Sequence, residues 1–461
     1  MKARRFFFLV ATAIGMFAPA GGTVEVTGGR PPEPKLETAF PISCWTYYWF
    51  WERLDDDYTI DNWIRLGINE PLTPVVDGKI DKPAFRRFLD KCHAAGLKVI
   101  VYDNRSGPNG VKDFIKTGDE ARYRELCREV KADWGDHPAV KGFYVYDEPL
   151  AADAARTFRA ARIHLDEFPG KTPYLNLLPW SPGNARNIGA KDLDEYLDRA
   201  YGESGLDDIG YDCYSQTCRD DSAYDTFFMN LRRWDENARR IGKRWNTTLL
   251  CVPHFYYRID GIGDLRFQLS SAVAMGAGRI VWFYPDCHVG YNRNFRDAPI
   301  DPFGERTESF RWLGTVNREF QHQFGAEFAK LRHESAYFAG AKTYGGIPAF
   351  LGDRQLLSIA LGGIRPMECV AHTMLVSFLT DGAGTRYVAL VNVSKANSCD
   401  AKLTFANDVC PSVKEWNRWK EMKANMDRGL VVNGVETTGK TVSYFFAPGQ
   451  LHLIRLDARD K

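Results

Sequence analysis

The sequence predicts a (β/α)8 barrel followed by a C-terminal antiparallel β-sandwich. Residues 39–338 read as eight alternations of a short apolar strand and a helix, and eight such units in about 300 residues are typical of this barrel. Beyond residue 339 the pattern changes to short apolar runs separated by Gly, Asn and Asp, which predicts a sandwich over 339–461. A doubly wound open sheet is disfavoured, since it has fewer units and usually carries a glycine-rich phosphate turn.

The N-terminus has the pattern of a secretory signal peptide. A basic start, MKARR, precedes an apolar stretch over residues 6–17 and the small-residue signature Ala18-Pro19-Ala20. We therefore expect a signal peptide over residues 1–20, an exposed lead-in over 21–38, and export to the periplasm or the cell exterior. The apolar stretch is too short for a stable bilayer anchor, and no later stretch reaches membrane-spanning length.

Each barrel unit is predicted as a strand followed by a helix. The predicted strands are residues 40–51, 68–74, 97–103, 140–149, 174–179, 208–214, 248–253 and 279–284. The helices are predicted over residues 59–66, 83–95, a long segment ending near 134, 154–165, 193–200, 224–240, 265–275 and 308–328. The sandwich strands are predicted at residues 356–361, 374–379, 387–393, 401–405, 441–446 and 451–456.

Composition narrows the class of ligand. A formal charge of +1 and a pI near 7.5 give no reason to expect nucleic acid or an acidic partner. The aromatic content is 13%, with 12 Trp and 21 Tyr; aromatic faces stack on sugar rings, although they also fill cores. Ten cysteines in an exported chain permit disulfides, and Cys399 with Cys410 is the most plausible pair.

The stretch VKGFYVYDEP, residues 140–149, is central to the functional interpretation. It is apolar through its length, as a parallel strand covered on both faces should be, and it ends in Asp147 and Glu148. Carboxylates at the C-terminal end of a parallel strand occupy the position where barrels carry their chemistry. The alternative is that both acids cap the following helix.

Other candidates follow the remaining strands, because a barrel builds its site from those segments. We expect Asp212 to be catalytic with Glu148 and Asp147. We expect a group of aromatic, amide and charged side chains to bind substrate: Trp45, Tyr47, Arg105, Asn176, Trp180, Tyr214, His254, Trp282 and Asp286. Each has a structural alternative: core filling for the aromatics, a local ion pair for Arg105, and bracing of a neighbouring strand for Asp212.

No metal or other cofactor is expected. His254 and His288 lie near Cys251 and Cys287, but the sequence has neither CxxC nor HExxH spacing. It also has no EF-type calcium loop.

Residues 134–149, WGDHPAVKGFYVYDEP, resemble the fourth strand of clan A glycoside hydrolases, in which an Asn-Glu-Pro ending places the general acid/base Glu. Residues 264–284, DLRFQLSSAVAMGAGRIVWFY, resemble the seventh helix and eighth strand of related bacterial barrel glycosidases. Residues 387–394, YVALVNVS, are similar to the β-sandwich often appended to them. The resemblance implies an exported hydrolase of oligo- or polysaccharides, with Glu148 as general acid/base.

The sequence departs from that clan at two places. Asp147 replaces the Asn, and residues 249–258, LLCVPHFYYR, lack the nucleophilic Glu that ends strand seven. Both departures fit the substrate-assisted hexosaminidases that carry an Asp-Glu pair. The resemblance of this chain to those enzymes implies that Asp147 orients a 2-acetamido group of the substrate and that Tyr214 binds the carbonyl of that group.

Two other interpretations stay open. In one, Asp212 or Asp286 is the base of an inverting reaction or the nucleophile of a retaining one, depending on the carboxyl separation. In the other, the chain is a carbohydrate-binding barrel without hydrolytic activity. The sequence leaves the oligomeric state open.

Overall fold

A computed structural model describes residues 36–215, 221–253, 258–288, 297–362, 371–415, 418–421 and 440–458. The described residues belong to one compact unit, Lys35–Lys461. The predicted signal peptide, residues 21–35 of the predicted lead-in, and the candidate His254 lie outside the described residues.

Seven strands form one parallel sheet. They are β1 (Ile42–Cys44), β2 (Val99–Val101), β3 (Val140–Asp147), β4 (Thr172–Leu177), β5 (Asp208–Asp212), β6 (Arg244–Leu250) and β7 (Ile280–Phe283). Their order in the sheet is β1-β7-β6-β5-β4-β3-β2. Each strand from β2 to β6 therefore lies beside the next strand of the chain, and β1 pairs with β7, as in a barrel wall.

The segment over residues 69–76 closes this sheet into a barrel. The amide of Leu72 donates to the carbonyl of Cys44 in β1 at 3.0 Å, and the amide of Thr73 donates to the carbonyl of Ile100 in β2 at 3.0 Å. Pro71 and Pro74 have no N–H to donate, which accounts for isolated parallel bridges here instead of a regular strand. The predicted (β/α)8 barrel is confirmed, with its second strand replaced by these bridges.

The helices surround the barrel. They are α1 (Asp56–Leu66), α2 (Lys82–Ala94), α3 (Pro108–Thr117), α4 (Glu120–Val130), α5 (Ala151–Glu167), α6 (Ala185–Ile188), α7 (Leu193–Ser204), α8 (Tyr224–Arg240), α9 (Ile262–Ala274), α10 (Glu308–Phe320) and α11 (Ala326–Phe328). The long helix predicted after the third strand is in fact two helices. Gly118, in the left-handed conformation (φ 74°), ends α3, and the Asp119 side chain caps α4 by accepting from the amide of Arg122.

Nine antiparallel strands follow within the described part of the chain. They are β8 (Arg332–Gly340), β9 (Leu356–Gly362), β10 (Thr373–Thr380), β11 (Arg386–Asn392), β12 (Cys399–Phe405), β13 (Val409–Glu415), β14 (Arg418–Glu421), β15 (Lys440–Phe446) and β16 (Leu451–Ala458). They form a six-stranded sheet, β14-β13-β16-β11-β10-β8, and a three-stranded sheet, β15-β12-β9. The sequence interpretation missed β8, β13 and β14, and the antiparallel region begins at Arg332 rather than at residue 339.

The six-stranded sheet is buried on both faces. On β10, Val376 and Phe378 share a core with the three-stranded sheet, whereas Leu375 joins the core around the barrel. This use of alternate residues explains why β10 reads as a continuous apolar run. The predicted disulfide between Cys399 and Cys410 is absent from the structure, and these residues lie on strands of different sheets.

Within the described residues, no helix has both the length and the apolar character needed to cross a bilayer.

Candidate active site

An aromatic layer fills the barrel beneath its C-terminal end. Trp45, Tyr144 and Tyr174 are each at most 2% exposed and belong to one interior cluster. Trp45 meets Tyr144 edge to face, with ring centroids 5.2 Å apart. The layer closes the barrel from below, so a ligand can enter only from the strand ends.

Two backbone irregularities turn Asp147 and Glu148 toward this interior. Val145 is an extra residue in β3, because Tyr144 pairs with Tyr174 while Tyr146 pairs with Leu175. This bulge restores Asp147 to the inward face, where it pairs with Asn176. Among the described residues, Glu148 is the one non-glycine residue with a positive φ, 45°. Such strain outside glycine is concentrated at functional sites.

Asn176 links two of the carboxyl groups. Its side-chain Nδ2 donates to Oδ1 of Asp147 at 3.0 Å and to Oδ1 of Asp212 at 3.1 Å. Its Oδ1 accepts from the Thr248 hydroxyl at 3.3 Å, and that hydroxyl accepts from Nε1 of Trp45 at 3.4 Å. This chain of hydrogen bonds fixes the amide so that its donors face both acids.

The three carboxyl groups hold protons more tightly than isolated acids do. Burial raises the pKa of Asp147 to about 7, with the Glu148 charge adding to it and the Asn176 hydrogen bond opposing it. Burial also raises the pKa of Glu148, against a hydrogen bond with Asp212 that lowers it. The pKa of Asp212 is raised well above its usual value by burial and by the charges of Glu148 and Asp147. Like charges this close cannot all ionise together, so the group retains protons near neutral pH.

Two tyrosines face the same group of acids. Burial raises the pKa of Tyr47, and the negative charge of Asp147 raises it further. For Tyr214, burial and the charge of Asp212 raise the pKa in the same way. Both hydroxyls therefore stay protonated, and the site combines neutral hydroxyl donors with carboxyl groups that can give or take a proton.

The structure brings together Asp147, Glu148, Asn176, Asp212, Tyr47, Tyr214 and Trp45 from the sequence candidates. Trp180 is half-buried against the core around the barrel, and Asn230 holds its backbone with bonds of 2.7 and 2.9 Å.

Arg105 does not join the carboxyl group. Its guanidinium pairs with Asp103 at 2.7 Å and with Asp133 at 2.8 Å. Arg105 thus forms local ion pairs, which was the alternative to its predicted role in substrate binding.

Trp282 also lies elsewhere. It is completely buried, and its Nε1 donates to Oδ1 of Asn317 in α10 at 2.9 Å. Its neighbour Val281 is the residue of β7 that faces the barrel interior, so alternation along β7 turns Trp282 outward.

Trp282→Phe is expected to lower the free energy of unfolding by about 1–3 kcal/mol, because the buried Oδ1 of Asn317 loses its donor. Urea unfolding measures this loss, and the affinity for any ligand of the site should be unchanged. A weaker ligand affinity without a change in the urea midpoint would instead indicate that Trp282 binds substrate.

Asp286 is engaged in a separate cluster. Its Oδ1 lies 2.5 Å from Nδ1 of His288, and Nε2 of His288 donates to the backbone carbonyl of Glu52 at 2.9 Å. Burial lowers the pKa of His288, but the contacts with Asp286 and Glu52 outweigh it and raise the pKa overall. The cluster fastens the segment after β7 to the segment after β1.

Asp286→Asn is expected to lower the free energy of unfolding by about 1–3 kcal/mol at pH 5.5. Because the folded-state pKa of His288 exceeds the unfolded value of about 6.5, the ion pair stabilises fully below pH 6.5 and is lost as pH rises through the folded-state pKa. Urea unfolding at pH 5.5 and pH 9 should therefore show a smaller loss at pH 9. Equal losses at both pH values would contradict the charged pair.

Sequence reasoning missed several residues of the site. Tyr102, half-buried, packs against Tyr144 with ring centroids 4.6 Å apart, Phe283 lies 5.7 Å from Tyr47, and Thr248 holds Asn176. A signal was available, since each stands at an inward position of its strand or directly after it.

No group of three or more His, Cys, Asp and Glu side chains in the described ranges is arranged to hold a metal ion. In those ranges β6 also ends without a carboxylate, in Leu250 followed by Cys251, Val252 and Pro253.

The architecture and the site define a class of fold. A closed parallel barrel followed by an antiparallel sandwich is a fold that this chain shares with TIM-barrel glycoside hydrolases of known structure.

Particular solved structures share this fold. The chain is similar to a catalytic mutant of a GH42 β-galactosidase from G. stearothermophilus, with a TM-score of 0.59, 9% identity, and coverage of 92% of this chain and 99% of that one. It is also similar to a glycoside hydrolase family 5 structure from Bacteroides vulgatus ATCC 8482, with a TM-score of 0.53, 10% identity, and coverage of 90% and 89%. No family model and no curated protein sequence matches the chain.

Two further neighbours match this chain over only part of their length. The match covers 59% of the β-galactosidase from Marinomonas ef1, with 61% of this chain, 13% identity and a TM-score of 0.45. It also covers 59% of the β-galactosidase from Rahnella sp. R3, with 66% of this chain, 13% identity and a TM-score of 0.50. The chain thus spans about three-fifths of these two proteins.

Proposed function

We propose that this chain is an exported glycoside hydrolase that cleaves glycosidic bonds of an oligo- or polysaccharide, with Glu148 as general acid/base. The observation that carries the proposal is the placement of Glu148. It directly follows the parallel barrel strand β3 with a left-handed backbone (φ 45°), and it shares a buried group of carboxyls with Asp147 and Asp212. The basic and apolar N-terminal sequence supports export.

In the proposed first step Glu148 is the general acid, and burial, which raises its pKa, favours the protonated form that this role requires. Glu148 gives its proton to the glycosidic oxygen as the bond between that oxygen and the anomeric carbon breaks. A carboxyl group with a raised pKa suits this role, because a larger fraction of it is protonated when substrate binds.

A second carboxylate acting as nucleophile or base has little support. Asp212 lies in the same buried group as Glu148, and burial together with the charges of Glu148 and Asp147 raises its pKa well above its usual value, which disfavours the ionised form that a nucleophile or base requires. Asp286 is occupied by His288.

A substrate-assisted reaction fits this arrangement better. The carbonyl oxygen of a 2-acetamido group attacks the anomeric carbon while the leaving oxygen takes the proton of Glu148. Asp147 accepts a hydrogen bond from the acetamido N–H, and Tyr214 donates to its carbonyl oxygen. Water then gives a proton to the Glu148 carboxylate, attacks the anomeric carbon and restores the acetamido group.

A second candidate function is carbohydrate binding without hydrolysis. The observation that favours it is that β6 ends, within the described residues, without the carboxylate that clan A enzymes use as nucleophile. Both functions require sugar binding, so turnover must separate them.

The test is turnover of aryl glycosides by wild type, Glu148→Gln and the control Glu125→Gln, whose side chain is 61% exposed on α4. Each sugar is supplied with a 2-acetamido and with a 2-hydroxy group. We expect wild type and the control to cleave the 2-acetamido substrate alone. Cleavage of both forms would contradict substrate assistance, and glycan binding without any turnover would favour the second candidate.

A further inference from the structure

Two tryptophans stack at the mouth of the barrel. The rings of Trp49 and Trp51 are 4.5 Å apart and inclined by 16°, so they lie nearly parallel. Trp51 remains 59% exposed although it covers Trp49. A large apolar ring left open to water gains little from folding, so its exposure calls for another explanation.

The backbone holds this pair in place. The amide of Trp49 donates to Oε2 of Glu52 at 2.6 Å, and the amide of Phe50 donates to the carbonyl of Val75 at 2.9 Å. His288 fastens the carbonyl of Glu52 from the segment after β7. Several independent bonds therefore fix the segment that carries Trp51, and its ring is presented in a defined place.

Two further exposed apolar side chains belong to the segments after β1 and β7. Leu54 is 54% exposed and Phe303 is 87% exposed. A Cβ placed on Gly304 would lie 2.8 Å from Leu54, so the turn that contains Phe303 packs beside Leu54, and the Tyr58 hydroxyl donates to the Gly304 carbonyl. We call Trp49, Trp51, Leu54 and Phe303 the aromatic rim.

The rim lies at the same end of the barrel as the carboxyl group. Its residues follow β1 and β7, and Tyr47, which faces Asp147, is only four residues before Trp51. A chain of that length spans at most about 14 Å. The rim is therefore within a few sugar units of Glu148.

We propose that the aromatic rim, with the outer face of Trp51 at its centre, binds distal sugar units of a polysaccharide whose reacting sugar occupies the carboxyl site. This inference rests on the proposed function and adds an extended substrate to it. Flat aromatic faces bordered by polar side chains such as Glu52 and Asp55 match the apolar faces and hydroxyl edges of sugar rings. The four side chains are too few for a stable protein interface, which needs roughly 800 Å² from each partner.

The experiment measures binding and turnover separately on the full-length protein. Isothermal titration calorimetry in the Glu148→Gln background uses di- and hexasaccharides of N-acetylglucosamine, glucose, xylose and galactose. Trp51→Ala is compared with Phe445→Ala, a control on β15 whose ring is also partly exposed, at 47%. Trp51→Phe tests whether an aromatic face is sufficient, and thermal unfolding checks that every variant is folded.

We expect Trp51→Ala to weaken hexasaccharide binding roughly tenfold, and to weaken disaccharide binding less. Trp51→Phe should restore most of the affinity, and Phe445→Ala should change nothing. Equal affinity of wild type and Trp51→Ala for the hexasaccharide, or no binding by any sugar of the panel, would overturn the proposal.

A wild-type oligomer that Trp51→Ala dissociates in analytical ultracentrifugation would also overturn the proposal, since the rim would then be a protein contact. Aryl glycoside turnover judges the proposed function independently. If the protein turns over substrate but Trp51→Ala does not affect hexasaccharide binding, only the proposal for the rim is contradicted. If binding depends on the rim but no turnover occurs, only the proposed hydrolase function is contradicted.

Discussion

Glu148→Gln is expected to lower kcat/KM for an aryl 2-acetamido glycoside by about 10²–10⁴-fold, the usual contribution of general acid–base catalysis. The amide has the same shape but cannot give its proton to the leaving oxygen. Because the pKa of Glu148 is raised, wild-type activity should persist to neutral pH and fall on the alkaline side as this carboxyl ionises. Steady-state kinetics from pH 4 to pH 9 measure both effects.

Two control measurements accompany the prediction for Glu148→Gln. Glu125→Gln, on the exposed surface of α4, makes the same chemical change away from the barrel and should leave kcat/KM unaltered. Glu148→Gln should also unfold at no lower urea concentration than wild type, since an amide removes a carboxyl whose ionisation burial opposes. Retention of more than a tenth of wild-type kcat/KM would exclude Glu148 as the general acid.

Asp147→Asn is expected to raise the free energy of unfolding by about 2–4 kcal/mol at pH 8.5, with little effect near pH 4. The pKa of Asp147 is about 7 in the folded protein and about 3.9 in an unfolded chain. A raised carboxyl pKa stabilises the fold fully below pH 3.9, and this stabilisation is lost as pH rises toward and through 7. Urea unfolding at pH 4.5 and pH 8.5 measures the difference.

The substitution keeps the shape of the side chain, and its Oδ1 still accepts from Asn176. Asp57→Asn, at a residue 83% exposed, is the matched control and should shift stability by less than about 1 kcal/mol at either pH. If Asp147→Asn changes stability equally at both pH values, the carboxyl group is not protonated in the fold as described.

The barrel could be predicted because each unit carries its own local signals. Apolar strands, helix-capping aspartates such as Asp55 and Asp81, and left-handed glycines such as Gly67 mark most of the boundaries. The second barrel strand was predicted at residues 68–74, but its irregular form was not, because Pro71 and Pro74 leave isolated bridges that hydrogen bonds to both neighbours support. Those partners are distant in sequence, so no local pattern specifies them.

The sequence predicts only those site residues that lie at the ends of strands. Asp147, Glu148 and Asp212 are at the ends of their strands, as expected for a barrel. The hydrogen bonds of Asn176 to Asp147 and Asp212 depend on a residue 29 positions from one and 36 from the other. Trp282 was wrongly predicted to line the site because the prediction relied on its aromatic side chain and not on the alternation of side chains along β7.

The bulge at Val145 makes the chemistry of this chain sensitive to strand pairing as well as to composition. Val145 and Tyr146 both face outward, so a regular strand of the same length, in which the facing side alternates at every residue, would turn Asp147 away from Asn176 with every carboxylate still present in the sequence. A related chain that keeps the letters DEP and the same strand length but pairs without the bulge would then be a scaffold with its reactive face reversed. Grafting this acid pair onto another barrel would require transferring the irregular backbone along with the two side chains.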